Sequence, residues 1–440
     1  MTLTEALLFA ETAAFFDEFS AAFATPSQRE SFARYGIGLM SELDRKSVEP
    51  IAALYCEKAE GRCSGMHQTL HRFIAEVAWD DHAVRAKASD FAIARMRAQA
   101  PLEVAILDDT SFVKSRSKSV GTARQYCGRL GKIENCQVAV GLAVANGVDA
   151  VTVDMELYLP QSWTSDPVQR ALGKIPHDIE FRTKPQLGLM LLMEAAKRGI
   201  RPGVVVADSD YGKDPMLREG IRDLDMHFAV GVHCDQPVRL LDRAGQAIGD
   251  ITTATAIAHA LPSDLFREVI WREGSDGPLK GRFAIVPVIA AEQSDVPISH
   301  TDREALSLLV EWEEGAEKPE HFTLISFDVA SMTLEEVVRI VKERWRIERC
   351  FQEMKSELGL DHFEGRSWQG WNHHASMVIV CHAFTLSVRA KVSPPGDPLR
   401  EAAPRAIAAA TAASRRKLFR DTSTRDRATS AGVAAAGRAA

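Results

Sequence analysis

Arg344, Glu348 and Lys355 stand at i, i+4 and i+11 in and just beyond the run Val341-Lys342-Glu343-Arg344-Trp345-Arg346-Ile347-Glu348. On a helix that spacing sets them along one face. A carboxylate between two cations is a poor way to build a core and a good way to hold a metal ion beside a phosphate backbone. Two more acids end apolar, strand-like runs: Asp109, with Asp108 before it, follows Val104-Ala105-Ile106-Leu107, and Asp208 follows Gly203-Val204-Val205-Val206-Ala207. Two-metal phosphoryl transfer needs carboxylates from separate elements that hold two divalent cations roughly 3.5–4 Å apart. Asp109, Asp208 and Glu348 meet that need with two strand ends and one helix. Oxygen-only ligands with open positions suit Mg2+ or Mn2+. The expectation is metal-dependent chemistry on nucleic acid.

The elements that must position these acids follow from the pattern of apolar residues. Residues 1–98 read as helical throughout, with apolar side chains recurring at three and four, as in Phe32, Tyr35, Leu39, Met40 and Leu43. Ser64 is a candidate N-cap for a helix that turns Gln68, His71 and Arg72 outward, which fits either DNA reading or an amphipathic bundle. From 101 the pattern is β: Val104–Leu107, Cys136–Val144 and Val151–Leu157, with a hairpin turn at Asn146-Gly147, predict a three-stranded antiparallel meander. A helix over roughly 184–199 then leads into the strand that ends at Asp208, giving the order βββαβ of an α/β sheet with its site at the strand ends. Residues 225–328 read as a β-rich insertion, and Thr333 with Glu336 starts a capped helix that runs to about Leu358. The expected division is a helical DNA-binding region over 1–98, a core in two parts over 99–224 and 329–390, the insertion between them, and a basic, Ala/Arg-rich, flexible tail over 391–440.

Charge is unevenly spread. The net charge is −7, but residues 389–440 hold 11 Lys/Arg against 4 Asp/Glu, so the rest of the chain carries about −14. Within that acidic body, Lys114, Arg116, Lys118, Arg124, Arg129 and Lys132 form a basic strip with no acid among them, directly after Asp109. Such a run is commonly a solvated face; beside a carboxylate site it reads as a strip for phosphates. The seven cysteines are scattered and include no C-x-x-C pair, which argues for reduced thiols in a cytoplasmic protein and against structural zinc. No apolar run is long enough to span a membrane, and acids at positions 5, 11, 17 and 18 argue against a signal peptide. Gly128-Arg129-Leu130-Gly131-Lys132 does not complete a phosphate-loop motif, and the neighbouring His373 and His374 point to different helix faces.

Four blocks together carry a resemblance: Asp108-Asp109-Thr110-Ser111, Ser119–Val140, Val205–Asp214 and Glu343–His374. They resemble the DDE transposases of bacterial insertion sequences, more narrowly those whose RNase H-like core is interrupted by a β-strand insertion before the glutamate. The resemblance covers roughly residues 25–386. The group's helix signature is tyrosine, two residues, arginine, three residues, glutamate, six residues, lysine. Here those positions hold Val341, Arg344, Glu348 and Lys355, so the tyrosine is absent.

The resemblance implies an RNase H-like mixed sheet flanked by helices, with Asp109, Asp208 and Glu348 as catalytic residues that bind two Mg2+ or Mn2+ ions. Asp108 and Asp210 are the reserve candidates for the first two. Arg344 and Lys355 are implied as phosphate contacts, joined by Lys114, Arg124, Arg129 and Lys132 from the basic strip. Trp271 is a candidate for stacking on an unpaired base, as insertion-domain aromatics do in some relatives, while Trp345 fits core packing. The implied activity is strand cleavage at the ends of an element and strand transfer into target DNA. Implied partners are double-stranded DNA, as terminal inverted repeats and target, and a second copy in a homodimer, within the cytoplasm at the nucleoid. Two alternatives stay open: an inactive or domesticated DNA-binding relative, because the tail departs from the resemblance, and a strand-end-Asp phosphatase, whose D-x-D-x-[TV] motif Asp108-Asp109-Thr110-Ser111 does not match.

Overall fold

The computed structural model describes residues 11–56, 63–242, 244–274, 277–291, 305–313 and 315–392, and the Ala/Arg-rich tail from 393 onward lies outside them. Six strands build the half of the sheet that carries the acids: β1 (Val104–Val113), β2 (Ala123–Cys127), β3 (Lys132–Ala145), β4 (Ala150–Tyr158), β5 (Val204–Ala207) and β6 (His227–Val232). Five of them lie in the order β4-β3-β1-β5-β6, with β2 beside β4 on the same edge of β3; the first two pairings of the five are antiparallel and the last two parallel. That order and polarity are those of an RNase H-like sheet, as the resemblance implied. The expected meander is present as β1, β3 and β4. Its hairpin turn is held by the Asn146 side chain, which accepts from the Val148 and Asp149 amides, with Gly147 at φ +78°. The first four residues of β1 and all of β5 are apolar on both faces, as in strands covered on both sides.

β2 is an addition that the pattern did not predict. It pairs antiparallel with the first five residues of β3, so the basic strip is folded into a hairpin with its turn at Gly128–Gly131. The span read as an insertion begins with β6, which hydrogen-bonds to β5. The strands after it, β7 (Pro237–Leu241), β8 (Ala247–Thr253), β9 (Arg267–Gly274), β10 (Gly277–Ala290), β11 (Leu306–Glu311) and β12 (His321–Ile325), continue the same sheet. β12 pairs with β6, and β11, β10, β7 and β8 follow outward to a total of twelve strands.

The helices of the described residues include α1 (Pro26–Leu39), α2 (Val48–Ala53), α3 (Cys63–Ala75), α4 (Asp81–Arg97), α5 (Lys184–Lys197), α6 (Ser209–Gly212), α7 (Pro215–Asp223), α8 (Leu334–Lys342), α9 (Trp345–Ser356) and α10 (Trp368–Val392). Capping boxes start α1, α5 and α8, at Thr25/Gln28, Thr183/Gln186 and Thr333/Glu336. The N-terminal helices close over α10. Phe15 meets Phe384 with ring centroids 5.0 Å apart, Trp79 stacks on His373 at 3.9 Å, and Tyr35 hydrogen-bonds His374 at 2.9 Å. One apolar cluster therefore joins the N-terminal helices, the sheet and α10. No helix among the described residues is long and apolar enough to cross a membrane.

The helix expected from Thr333 to about Leu358 is two helices. Between α8 and α9 the backbone tightens to i→i+3 hydrogen bonds: Glu343 N–H to Ile340 O, Arg346 N–H to Glu343 O and Ile347 N–H to Arg344 O. Arg346 fastens this turn by pairing with Glu343 and donating to Val148 O at 3.2 Å. Arg344 thus sits at the mouth of α9 rather than mid-helix.

Candidate active site

Strand register decides how the acids face one another. β1 and β5 run parallel with Leu107 beside Ala207, so Asp208 follows the end of β5 next to Asp108; β1, expected to end at Asp108-Asp109, runs on through both to Val113 because β3 pairs with it that far. Neighbouring residues of a strand face opposite ways. Asp108 lies opposite Gly141 on β3, and an added Cβ at Gly141 would come within 2.8 Å of the Phe351 ring on α9. α9, which carries Glu348, therefore covers the face of Asp108. Asp109 faces the other way, towards the first turn of α5, where Lys184 Nζ pairs with its Oδ2 at 3.0 Å. Asp208 caps α6, accepting from the Asp210 amide at 2.9 Å and the Tyr211 amide at 3.4 Å.

Arg344 links the remaining acids. Its Nη1 lies 2.6 Å from Asp108 Oδ2 and its Nη2 2.6 Å from Glu348 Oε1. Lys355 donates to Ser111 O at 2.9 Å and lies 5.1 Å from the centre of the Phe112 ring. Burial pushes the Asp108 carboxyl up to about 7 against the pull of Arg344, with Asp208 and Asp109 adding to the rise. Burial also raises Asp109; Lys184 opposes this, and Asp208 and Asp210 reinforce it. An open cleft of about 750 Å³ lies over the group, lined by Asp108, Asp109, Arg129, Arg344, Glu348 and Lys355 among others.

This donor set fits a hard divalent cation. Its candidate ligands are carboxylate oxygens from β1, β5 and α9; burial raises both β1 acids, Asp108 and Asp109, with Asp208 adding to each rise, a state that a nearby double charge relieves. Among the described residues, only His82, Asp154 and Glu156 bring three potential ligand atoms within 4.8 Å of one another. That cluster already holds its cation. The fully buried Arg85 lies between them, with Nε 2.5 Å from Asp154, Nη1 2.8 Å from Asp81 and Nη2 3.2 Å from Glu156. In the cleft, Arg344 and Lys184 lie against the carboxylates in a similar way.

The family model for the DDE superfamily endonucleases matches residues 18–278, more than half of the chain. The chain belongs to the DDE superfamily endonucleases. A second model, the transposase DDE domain, matches residues 182–384, which include Asp208, Arg344, Glu348 and Lys355. A curated relative, the probable transposase for insertion sequence element IS701 of Microchaete diplosiphon, is 26% identical over 215 residues. That match takes in 49% of this chain and about half the length of the relative, 51%. Among solved structures, a piggyBac transposase synaptic complex with hairpin DNA is 12% identical, with a TM-score of 0.44 over 94% of this chain and 79% of that one. The NurA nuclease of Sulfolobus solfataricus is 11% identical, with a TM-score of 0.24 over 60% of this chain and 84% of that one. Likenesses this loose establish nothing about the present chain, whose fold rests on its own sheet order.

In this DDE superfamily member the other candidate residues are dispersed. Arg129 reaches the cleft from the β2–β3 turn; its amide donates to Ser111 Oγ at 3.3 Å and its Nη1 pairs with Asp361 at 3.0 Å. Arg124 and Lys132 are exposed on the same hairpin, Lys132 lying 3.4 Å from Glu134. Lys114 turns inward instead and donates to Phe363 O at 2.8 Å, and burial lowers its pKa to about 8. Trp271 on β9 has Lys342 Nζ 4.4 Å from its ring centre and meets the Phe283 ring edge-on at 5.7 Å, so one of its faces is taken by a cation of the protein. Val341 packs against the core. Asp210 is held by Lys213 at 2.8 Å, a contact that lowers its pKa. His373 and His374 are packing residues bonded to Ile74 O and to Tyr35 and Gly359 O. Sequence reasoning missed Lys184, which looks like any helix-start lysine; its one signal is the position after the Thr183 cap.

Proposed function

We propose that this protein cleaves DNA at the ends of an insertion element and joins the freed ends to target DNA. The observation that carries this reading is the single open cleft where acids from β1 and α9 meet Arg344, Arg129 and Lys355, with Asp208 beside them at the end of β5. Asp109, Asp208 and Glu348 would hold two Mg2+ or Mn2+ ions, with Asp108, on the face that α9 covers, as the reserve for the first of them. When bound, the ions supply the positive charge that activates the entering oxygen and stabilises the leaving one.

The chain's own residues do the rest. Lys355 and Arg129, both beside Ser111, hold backbone phosphates and set the scissile phosphorus over the carboxylates. Arg344 meets the charge that builds on the phosphoryl oxygens, and Asp108 keeps its guanidinium in place as a positioning residue. Lys184 fixes the Asp109 carboxylate in the same sense. A water oxygen attacks phosphorus, the bond to the 3′ oxygen breaks, and that oxygen leaves as a 3′-OH. In the second step the 3′-OH attacks a target phosphodiester, and the target's own 3′ oxygen departs. Bringing two element ends together calls for at least two copies of the chain on double-stranded DNA, at the nucleoid.

The test is Mg2+-dependent nicking of a duplex that carries the inverted repeats flanking the gene. Glu348→Gln is expected to fall to the level seen with EDTA, and equal cleavage by wild type and variant removes Glu348 from the mechanism. Asp109→Asn is expected to abolish nicking and Asp108→Asn to weaken it. The reverse result reassigns the first ligand to Asp108, the acid on the face that α9 covers. A wild type that binds the repeats and never nicks them favours the retained, inactive relative.

A further inference from the structure

We infer that the β2–β3 hairpin is a wedge that stacks on bases unpaired beside the cleavage position, an inference that rests on reading the cleft as a DNA-cleaving site. Tyr126 and Ile133 face each other directly across the two strands and share one side of the hairpin, where they are 58% and 60% exposed; Leu130 at the tip is 44% exposed. Small exposed hairpins ordinarily present polar side chains on their solvent face, and three large apolar ones together ask for a partner. The opposite side needs none, since Cys127 and Cys136 are buried there against Val138 and Tyr158.

Charge and position identify the occupant. Arg124 lies on the same face as Tyr126, two residues before it, and Arg129 stands in the tip; Lys132, across from Cys127, is on the other face. Apolar side chains interleaved with arginine suit stacked bases beside phosphates better than an apolar protein surface. The hairpin also opens directly onto the cleft, because Gly128 and Arg129 line it together with Asp109 and Glu348. Its turn end is tied to β1 by Ser111 Oγ, 3.2 Å from Cys127 Sγ and 3.3 Å from the Arg129 amide. A tyrosine and an isoleucine on a rigid support, next to buried carboxylates, are placed to enter a base step and hold it open while the backbone descends.

Two duplexes of the same terminal-repeat sequence test this, one fully paired and one mismatched at three pairs beside the cleavage position. The double variant Tyr126→Ser, Ile133→Ser is expected to nick the paired duplex about ten- to a hundredfold more slowly than wild type, the span of one stacked base. On the mismatched duplex it is expected to work near the wild-type rate, and Tyr126→Phe to behave as wild type on both. Equal slowing on both duplexes, or none on either, overturns the wedge. A separate arm needs no cleavage: with 2-aminopurine at the first unpaired position and EDTA present, wild type quenches the fluorescence and the double variant does not. Quenching without nicking in Mg2+ defeats the cleavage reading and leaves the wedge standing; no quenching by wild type defeats the wedge. A change in oligomer mass of the double variant without DNA would assign the face to a contact between copies and also overturn the proposal.

Discussion

Gly141→Ala is expected to cost activity through one contact, because the Phe351 ring seats α9 on the sheet at that glycine. The new Cβ would stand 2.8 Å from two ring carbons, whereas ordinary contacts begin at 3.4 Å, so the ring must retreat by about 0.6 Å. It cannot do so freely. Phe351 is nearly buried, and its helix is tied to the sheet by Lys355 to Ser111 O at 2.9 Å and by Cys350 Sγ to Ala150 O at 3.6 Å. Overpacking of this kind costs about 1–3 kcal/mol of stability. Glu348 is one turn before Phe351 and moves with it. A misplacement of about 1 Å costs on the order of a hundredfold in rate, so a shift near half that size implies about tenfold. The assay is Mg2+-dependent nicking with thermal unfolding of the same preparation, for Gly141→Ala alone and combined with Phe351→Leu, which vacates the contested space. Unchanged nicking and stability in the single variant, or no recovery in the double, would refute the claim that this contact sets the height of Glu348.

Two further expectations concern stability. Burial lowers the pKa of His374 to about 4 from an ordinary 6.5, so the unfolded chain binds its proton first. Its contribution is therefore complete above pH 6.5 and drains as pH falls towards 4, by about 2 kcal/mol at pH 5. Urea unfolding at pH 7.5 and pH 5 should show this slope in wild type and a flatter one in His374→Asn; equal slopes would count against it. Arg85→Met should cost about 3–5 kcal/mol, because Asp81, Asp154 and Glu156 are left around a cation-free centre in which burial already raises Glu156 to about 7 even with Arg85 present. Thermal unfolding measures it, Asp154→Asn with Glu156→Gln in the same chain should restore part of the loss, and a cost below about 1 kcal/mol would show that the carboxylates simply protonate.

The RNase H-like sheet was legible because β1 opens with, and β5 consists of, a short apolar run that leads into an aspartate, a pattern that survives without knowledge of their partners. The spacing of Arg344, Glu348 and Lys355 was legible for the same reason: it is local. What depends on register was not. Asp108 and Asp109 are adjacent, so alternation alone says that they face opposite ways and not which face α9 covers; Gly141 on β3 decides that. The split between α8 and α9 was hidden because Glu343 and Arg344 are ordinary helix residues, and it is the pull of Arg346 on the β3–β4 turn that tightens the backbone there. The placement of β6 in the core was hidden because an apolar strand carries no mark of its neighbours. Trp271 looked available until the structure put Lys342 over its ring.

The continuity of the sheet changes what the β-rich segment does for Glu348. If β7–β12 were tethered loosely, α9 would be located by the core alone. Instead β12 hydrogen-bonds to β6, and two cationic contacts tie the outer strands back to the α8–α9 junction. Arg272 on β9 lies 3.7 Å from the centre of the Trp345 ring, and Lys342 lies 4.4 Å from that of Trp271 while bonding both Glu311 oxygens at 2.7 Å. Each cation–π contact contributes about 0.5–2 kcal/mol, and both sit within one turn of Arg344. Glu348 is thus held from two sides, by Phe351 on Gly141 and by Trp345 under Arg272. A displacement of the outer strands must pass through that junction, so DNA pressed against β9 and β10 would be felt at Arg344 before it is felt at Asp109 or Asp208.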